Sequence, residues 1–326
     1  VGLLFWELSR VPKAWLPAIS MFDAIMVCSH FIRQAIEDAL PAIPVLYAEH
    51  PLLMNFTSGQ SHEIRGRLNI PAETFVCTSS FDLRSDFARK NPQATLRTFQ
   101  LAFRNQENVR LLVKINKLER KSLSNVARDL LDELDTDNRV TLISDTISYE
   151  DVMRFYAICD VYISLHRAEG LGLGPMEAMM LGKYVIATGY SGNMTFMNDG
   201  NSAPVPFTLI EPIKSSWQYL RAFAGPEARW AEPDVEAAAV ALRWAYQNPE
   251  LRERVAATGR RDIAARQAQA WTAPYLESLV EILSDSDRPR ARPKHLRQMR
   301  LVEILDPTLR RLNIAAFRET LTNRFR

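Results

Sequence analysis

The sequence predicts an α/β protein built on a parallel, doubly wound sheet. In the middle of the chain, short apolar runs with strand character alternate with segments whose apolar residues recur at helical spacing. Strands that alternate with helices favour right-handed βαβ units, which align their strands in parallel. The composition, 47% apolar and 24% charged over 326 residues, fits a folded chain and excludes a disordered one.

Five strands of this sheet are predicted from buried, β-rich runs. They are Phe75–Phe81, Val109–Ile115, Arg139–Ser144, Asp160–Leu165 and Lys183–Thr188. The segments between and after them have the 3.6-residue period of amphipathic helices. These helices are expected at Pro92–Phe103, Leu123–Leu134, Tyr149–Ile158, Asp234–Tyr246 and Pro249–Ala270, with a further short helix before the fifth strand.

The first residues carry the pattern of a second, smaller sheet. Strands are predicted at Leu3–Glu7, Ala24–Cys28 and Ile43–Tyr47, with a helix at Phe31–Ala39. Three strands are too few for an independent sheet with both faces covered. We therefore divide the chain into a partial domain at 1–50, a connector at 51–70, a large domain with closing helices at 71–284, and a basic linker with a short helix at 285–326.

The charge balance limits the classes of partner. The net charge of +2 is too small to indicate nucleic acid. The charge is unevenly distributed, because residues 285–326 have a net charge of +6 and the rest of the chain has a net charge of −4. This tail is interpreted as a solvated linker and a docking helix, or as a peripheral contact with anionic lipid. Without a signal peptide or a spanning apolar run, a cytoplasmic protein is expected, either free or peripheral at the inner face of the membrane.

A glycine-rich turn after the fourth strand is the most informative motif. Ligands of open α/β sheets bind beyond the carboxyl ends of the strands. Gly170, Gly172 and Gly174 allow the backbone to approach a ligand closely, and Pro175 suits the first turn of a helix. The start of that helix, including Leu173, therefore offers free N–H groups to a phosphate.

Two carboxylates, Glu169 and Glu177, bracket this turn. Carboxylates accept hydrogen bonds from the vicinal hydroxyls of sugars and riboses, so the pair could hold two rings on either side of a phosphate. The alternatives are a solvated loop acid for Glu169 and a charge that complements the helix dipole for Glu177.

With seven residues between Glu169 and Glu177, this segment resembles the E-x7-E motif of the retaining glycosyltransferases of family four, which have the GT-B fold. Other blocks resemble the same family, in the same order along the chain. They are Phe81–Pro92, Ser164–Gly170, Glu177–Thr188, Tyr190–Phe196 and Trp230–Asp234. The resemblance covers residues 1 to about 285 and implies that 71–284 bind a nucleotide-sugar donor. It also implies that residues 1–50 are the end of a truncated, Rossmann-like acceptor-side domain.

The family holds the donor diphosphate with an Arg and a Lys after the first strand of this domain. Arg84 and Lys90 have the family's separation, with Ser85 and Arg89 as close competitors, and Lys90 is the stronger candidate. The alternative for Arg89 is a surface cation. The two Asp-x-Asp triplets, at 135–137 and 285–287, do not follow strands, so no metal site is predicted.

The resemblance assigns provisional roles to the remaining site residues. Glu177 would bind the ribose, while Glu169 would bind the donor sugar and, with Lys90, form the catalytic pair. His166 would contact the donor or be structural, and Ile147 would lie near the base. The implied activity is transfer of a hexose from a GDP-, UDP- or dTDP-sugar to a glycan or lipid-linked acceptor, without a cofactor, in polysaccharide assembly. A non-catalytic nucleotide-sugar-binding module is the main alternative, and a sugar-nucleotide epimerase is a second one.

Overall fold

The computed structural model describes residues 1–53, 61–82, 85–104, 108–116, 125–212, 225–272 and 275–284. Arg84 and the basic segment 285–326 lie outside these residues. The strands, in chain order, are β1 (Gly2–Leu3), β2 (Ile25–Val27), β3 (Val45–Tyr47), β4 (Phe75–Asp82), β5 (Val109–Asn116), β6 (Val140–Ile143), β7 (Val161–Ser164), β8 (Tyr184–Thr188), β9 (Ala203–Val205), β10 (Phe207–Ile210) and β11 (Trp230–Pro233).

Within the described residues, the helices begin and end close to the predicted positions wherever a helix was expected; the short helix expected in 285–326 lies outside them. In chain order they are α1 (Leu16–Ile19), α2 (His30–Ala39), α3 (Ser61–Arg67), α4 (Phe87–Lys90), α5 (Pro92–Ala102), α6 (Asn125–Thr136), α7 (Tyr149–Ala157), α8 (Leu173–Met180), α9 (Val235–Gln247), α10 (Pro249–Thr272) and α11 (Tyr275–Ser284). Side-chain caps start several of them, such as Ser148, whose Oγ accepts from the Asp151 N–H at the start of α7.

The large sheet has six parallel strands in the order β6-β5-β4-β7-β8-β9. This confirms the predicted α/β fold with a Rossmann-like, doubly wound sheet. Strands β5 and β6 are added on one side of β4, and β7, β8 and β9 are added on its other side. The direction in which strands are added therefore reverses between β4 and β7. A crevice opens at such a reversal, and ligands of this fold class bind there.

Three strands were not predicted. β9 is a three-residue edge strand that contains Pro204, and a proline removes the pattern by which a strand is recognised. β10 and β11 form an antiparallel pair outside the large sheet. About twenty residues separate β10 from β11, so the sequence has no short hairpin turn that would predict the pair.

Residues 1–53 form a separate parallel sheet in the order β1-β2-β3. The first strand is shorter than the predicted Leu3–Glu7, because the chain leaves the sheet and Trp6 runs against the glycine turn. A Cβ added to Gly170 would lie 3.1 Å from the Trp6 carbonyl oxygen. Helix α3 lies within the predicted connector. The division into domains stays a prediction.

Helix α10 fastens the end of the small sheet to the large unit. Arg266 of this helix forms an ion pair with Glu49 at 2.6 Å and donates to the Thr195 carbonyl at 2.6 Å. The neighbouring Gln267 accepts from the Leu52 N–H at 2.6 Å. The two sheets therefore share one packed core around the crevice.

Candidate active site

A cavity of about 300 Å³ occupies the crevice between the ends of β4 and β7. The start of α8, together with side chains of α4, α7 and β5, completes its lining. Six residues predicted for the site line it. They are Lys90, Glu169, Gly172, Leu173, Gly174 and Glu177. The structure therefore brings together, at one edge of the sheet, residues from two distant stretches of the sequence.

The start of α8 forms the floor of this cavity. Gly172 precedes the helix with φ of 88°, a conformation that favours glycine. A Cβ on Gly174 would collide with the Tyr162 hydroxyl, so only glycine fits above that side chain. In the first turn of a helix, the N–H groups have no intrahelical partner and the macrodipole is positive. The amides of Leu173 and Gly174 can therefore receive an anion.

Glu169 lies at one end of the cavity between two cations. Lys90 Nζ is hydrogen-bonded to Oε1, and Arg89 Nη1 lies 3.2 Å from Oε2. Burial alone would raise the pKa of Glu169, but the charges of Lys90 and Arg89 outweigh it and lower the pKa to about 2. The backbone is held as well, since the Glu169 N–H donates to Ser191 Oγ at 2.8 Å and its carbonyl accepts from the Gly192 N–H at 2.8 Å.

Glu177 lies at the other end, on α8, in an opposite environment. Its side chain is buried, and the described hydrogen bond to it comes from the Tyr149 hydroxyl of α7, 2.9 Å from Oε1. Burial raises the pKa of Glu177 to about 7, against a smaller lowering by the Tyr149 hydrogen bond. The pKa values of the two carboxylates of the E-x7-E motif are thus shifted in opposite directions at the two ends of one cavity.

Residues 62–208 match the family model of the glycosyl transferases group 1. This part of the chain belongs to that family. The group 1 enzymes are retaining glycosyltransferases, so the family that the E-x7-E motif resembles is confirmed. A comparison with curated proteins found no match.

Solved structures of the GT-B type share the fold of this glycosyltransferase chain. A glycosyltransferase from Rickettsia africae is 15% identical, with a TM-score of 0.65, over 87% of this chain and 71% of its own. Anabaena HepE, in complex with UDP and glucose, is 16% identical, with a TM-score of 0.61, over 83% and 67%. The pneumococcal O-GlcNAc transferase GtfA, in complex with UDP and GlcNAc, is 13% identical, with a TM-score of 0.60, over 87% of this chain and 53% of its own.

Arg89 is not the surface cation that the sequence allowed. Only 4% of its side chain is exposed. Its guanidinium donates to the Ala168 carbonyl at 2.7 Å and to Ser85 Oγ at 2.9 Å, besides facing Glu169. Ser85 therefore supports Arg89 and does not line the cavity. Arg84, the weaker predicted phosphate ligand, lies outside the described residues.

Three further predicted residues do not line the cavity. His166 is fully buried between Ser164 Oγ at Nδ1 and Asn193 Oδ1 at Nε2, each at 3.0 Å. Burial lowers its pKa, so a neutral ring with the proton on Nε2 fits these partners. Gly170 packs on the N-terminal segment, and Ile147 lies half-buried in the loop that leads to α7. The geometry of His166 is that of a structural histidine.

Two features of the cavity were missed in the sequence. Lys114 is buried in β5, where its Nζ donates to the carbonyls of Ile115 at 3.0 Å and Asp145 at 2.9 Å. A lysine near the carboxyl end of a predicted buried strand was the available signal. Below Gly174, Ser80 is hydrogen-bonded to the hydroxyls of Tyr156 and Tyr162. These three residues belong to β4, α7 and β7, so only the folded chain brings them together.

Among the described residues, no group of three or more His, Cys, Asp or Glu side chains is arranged to hold a metal ion. In the same part of the chain, no helix is both long and apolar enough to cross a membrane.

Proposed function

We propose that this chain binds a nucleoside-diphospho-hexose in the cavity and transfers the hexose, with retention of anomeric configuration, to a glycan or lipid-linked acceptor. The carrying observation is that Lys90, Glu169, the first amides of α8 and Glu177 line one cavity at the reversal of a doubly wound sheet. The cations and amides suit a diphosphate, and the carboxylates suit hydroxyl groups on either side of it.

The roles follow from where each group lies. The amides of Leu173 and Gly174, with Lys90, would bind the diphosphate and stabilise the charge that develops on it as it leaves. Glu177, buried beside α7, would accept hydrogen bonds from the ribose hydroxyls. Glu169, at the Lys90 end, would face the hexose and, as a permanent anion, support positive charge at the anomeric carbon.

The proposed step breaks the bond between the anomeric carbon and the β-phosphate oxygen and forms one from the acceptor oxygen to the same carbon, on the same face. The leaving diphosphate keeps the bond's electron pair and accepts the acceptor's proton on a phosphate oxygen. No separate protein base is required, in contrast to the paired carboxylates of glycoside hydrolases.

UDP is the first nucleotide to test, because two solved structures with this fold are described as complexes with UDP and a sugar. Calorimetric titrations with UDP, GDP and dTDP, each with and without a chelator, examine the donor site. We expect at least one nucleotide to bind, with an affinity that the chelator leaves unchanged. Binding of none of the three, or binding that the chelator abolishes, would contradict the proposal.

A charge-matched pair of variants locates the site. Lys90→Met should weaken binding by about 2 kcal/mol, roughly 30-fold, because it removes a charged hydrogen bond to phosphate. Lys13→Met removes the same charge from an exposed position before α1 and should leave the affinity unchanged. If both variants, or neither, weaken binding, the diphosphate is not held by Lys90. Binding with no transfer to any acceptor would support the binding module instead.

The remaining parts of the chain have proposed roles of the same kind. Residues 1–50 would belong to the acceptor side, and residues 285–326, with a charge of +6, would touch anionic lipid at the inner face of the membrane in a cytoplasmic protein. Co-sedimentation with phosphatidylglycerol vesicles, compared with phosphatidylcholine vesicles, tests the lipid contact. Equal pelleting with both would favour a solvated linker and docking helix.

A further inference from the structure

Two adjacent cations of α4 face the same carboxylate, and their surroundings differ. Arg89 and Lys90 each contact one oxygen of Glu169. A carboxylate at a donor site needs one counterion to stay ionised, and the diphosphate needs a cation too. We propose that Arg89 is a positioning residue that stays bound to Glu169, whereas Lys90 is an exchangeable counterion that the donor's diphosphate draws away. This inference rests on the proposed function.

The contacts of Arg89 make it immobile. Its guanidinium is held by the Ala168 carbonyl and Ser85 Oγ, and it lies 3.9 Å from Glu7 of the N-terminal segment. The backbone N–H of Arg89 is fixed by Asp86 Oδ1 at 2.7 Å. A planar guanidinium that donates in several fixed directions cannot turn towards a ligand without losing these bonds.

Lys90 has the opposite character. Its side chain is 22% exposed and lines the cavity, whereas Arg89 does not line it. An ammonium on a four-carbon stem can turn from one acceptor to another. An anion bound at the amides of Leu173 and Gly174 would carry more charge than Glu169 and would compete for Lys90.

The exchange changes what Glu169 presents to the cavity. When Lys90 turns to the diphosphate, Oε1 becomes available to the hexose, while Arg89 retains Oε2. Among the described residues, the other titratable groups near this carboxylate are His166 and Tyr162 of the β7 side, and neither supplies a positive charge when neutral. Arg89 is then the cation that keeps Glu169 ionised in the donor complex.

Proton uptake on nucleotide binding tests the role of Arg89. The probe is whichever of UDP, GDP and dTDP binds the unchanged chain most tightly, titrated at pH 6.5 in PIPES and in imidazole. Because these buffers have different ionisation enthalpies, the two heats give the number of protons taken up. For Arg89→Met we expect an increase of up to one proton per nucleotide, since Glu169 loses its second cation as Lys90 leaves. Arg89→Lys should stay near the unchanged chain.

Glu177 titrates in the same pH range, so the source of the proton must be identified. In the double variant Arg89→Met with Glu169→Gln, the additional uptake should disappear. Uptake that is unchanged in Arg89→Met, or that persists in the double variant, would overturn the role of Arg89.

The exchange itself has a test that leaves Arg89 in place. In Glu169→Gln, Lys90 does not have to break an ion pair with a carboxylate before it contacts the diphosphate. The nucleotide lacks the hexose that Glu169 would bind, so it should bind roughly fivefold more tightly to this variant. Equal or weaker binding would overturn the exchange. If the unchanged chain binds none of the three nucleotides, the proposed function has failed; if it binds and only these differences are missing, the failure is confined to this inference.

Discussion

The two ends of the cavity carry the same functional group in opposite electrostatic settings. At one end Glu169 faces Lys90 and Arg89, and its pKa is lowered to about 2. At the other end Glu177 is buried beside the hydroxyl of Tyr149, and burial raises its pKa to about 7. A single motif on one turn and one helix therefore supplies a permanent anion and a carboxyl that titrates near neutral pH.

The difference arises from the elements that each end meets. Helix α4 delivers two cations to Glu169, because it follows β4 at the carboxyl edge of the sheet. Helix α7 delivers the hydroxyl of Tyr149 to Glu177, whose side chain is buried. Spacing along the motif places both carboxylates at the cavity, but the neighbouring helices decide their ionisation.

Exchanging each carboxylate for its neutral isostere should change stability in opposite directions, and this is the largest expected effect. Glu169→Gln leaves two cations facing a neutral amide. We expect the free energy of unfolding to fall by about 3 kcal/mol at pH 8. A group with a lowered pKa stabilises the fold above its unfolded pKa, near 4.5, and that stability is lost as the pH falls towards 2. The loss should therefore persist at pH 5 in urea unfolding.

Glu177→Gln should do the reverse, because the fold penalises the charged form of this carboxyl. The penalty is absent below the unfolded pKa near 4.5 and complete above the folded pKa of about 7. We expect a gain of about 2 kcal/mol at pH 8 that largely vanishes at pH 5. The same urea titrations measure it. Equal signs for the two substitutions would remove the contrast between the ends.

The sequence predicted one part of this arrangement and could not predict the other. The five strands, their parallel direction and the glycine turn were readable, because periodicity and turn chemistry are local. Lys90, Glu169 and Glu177 could be placed at one edge because strand ends of a parallel sheet share it. The burial of Arg89 was not readable, since it depends on contacts between distant segments that leave no periodic signal.

The pH dependence of nucleotide affinity separates the two ends more finely. If ribose hydroxyls donate to ionised Glu177, affinity for UDP should rise with pH through about 7, by roughly tenfold between pH 6 and pH 8. Glu169 stays ionised throughout this range and should contribute no slope. Calorimetry across this range measures it in the unchanged chain, in Glu177→Gln and in Glu169→Gln. Because the terminal phosphate of UDP itself titrates near pH 6, some slope should remain in every variant. The slope should become smaller only in Glu177→Gln; a smaller slope in Glu169→Gln would assign the titration to the wrong end.

The smallest effect concerns Ser191, which holds the backbone at the Glu169 end. Ser191 has φ of 77° and ψ of −146°, a conformation nearly confined to glycine, and its Oγ accepts from the Glu169 N–H. The hydrogen bond and the strain are each worth about 1 kcal/mol and oppose one another. Ser191→Ala keeps the strain and loses the bond, so it should destabilise by about 1 kcal/mol. Ser191→Gly loses both, so its stability should stay near that of the unchanged chain in urea unfolding. An alanine variant as stable as the unchanged chain would mean that the hydroxyl does not hold Glu169, and that the cations of α4 alone set this end of the cavity.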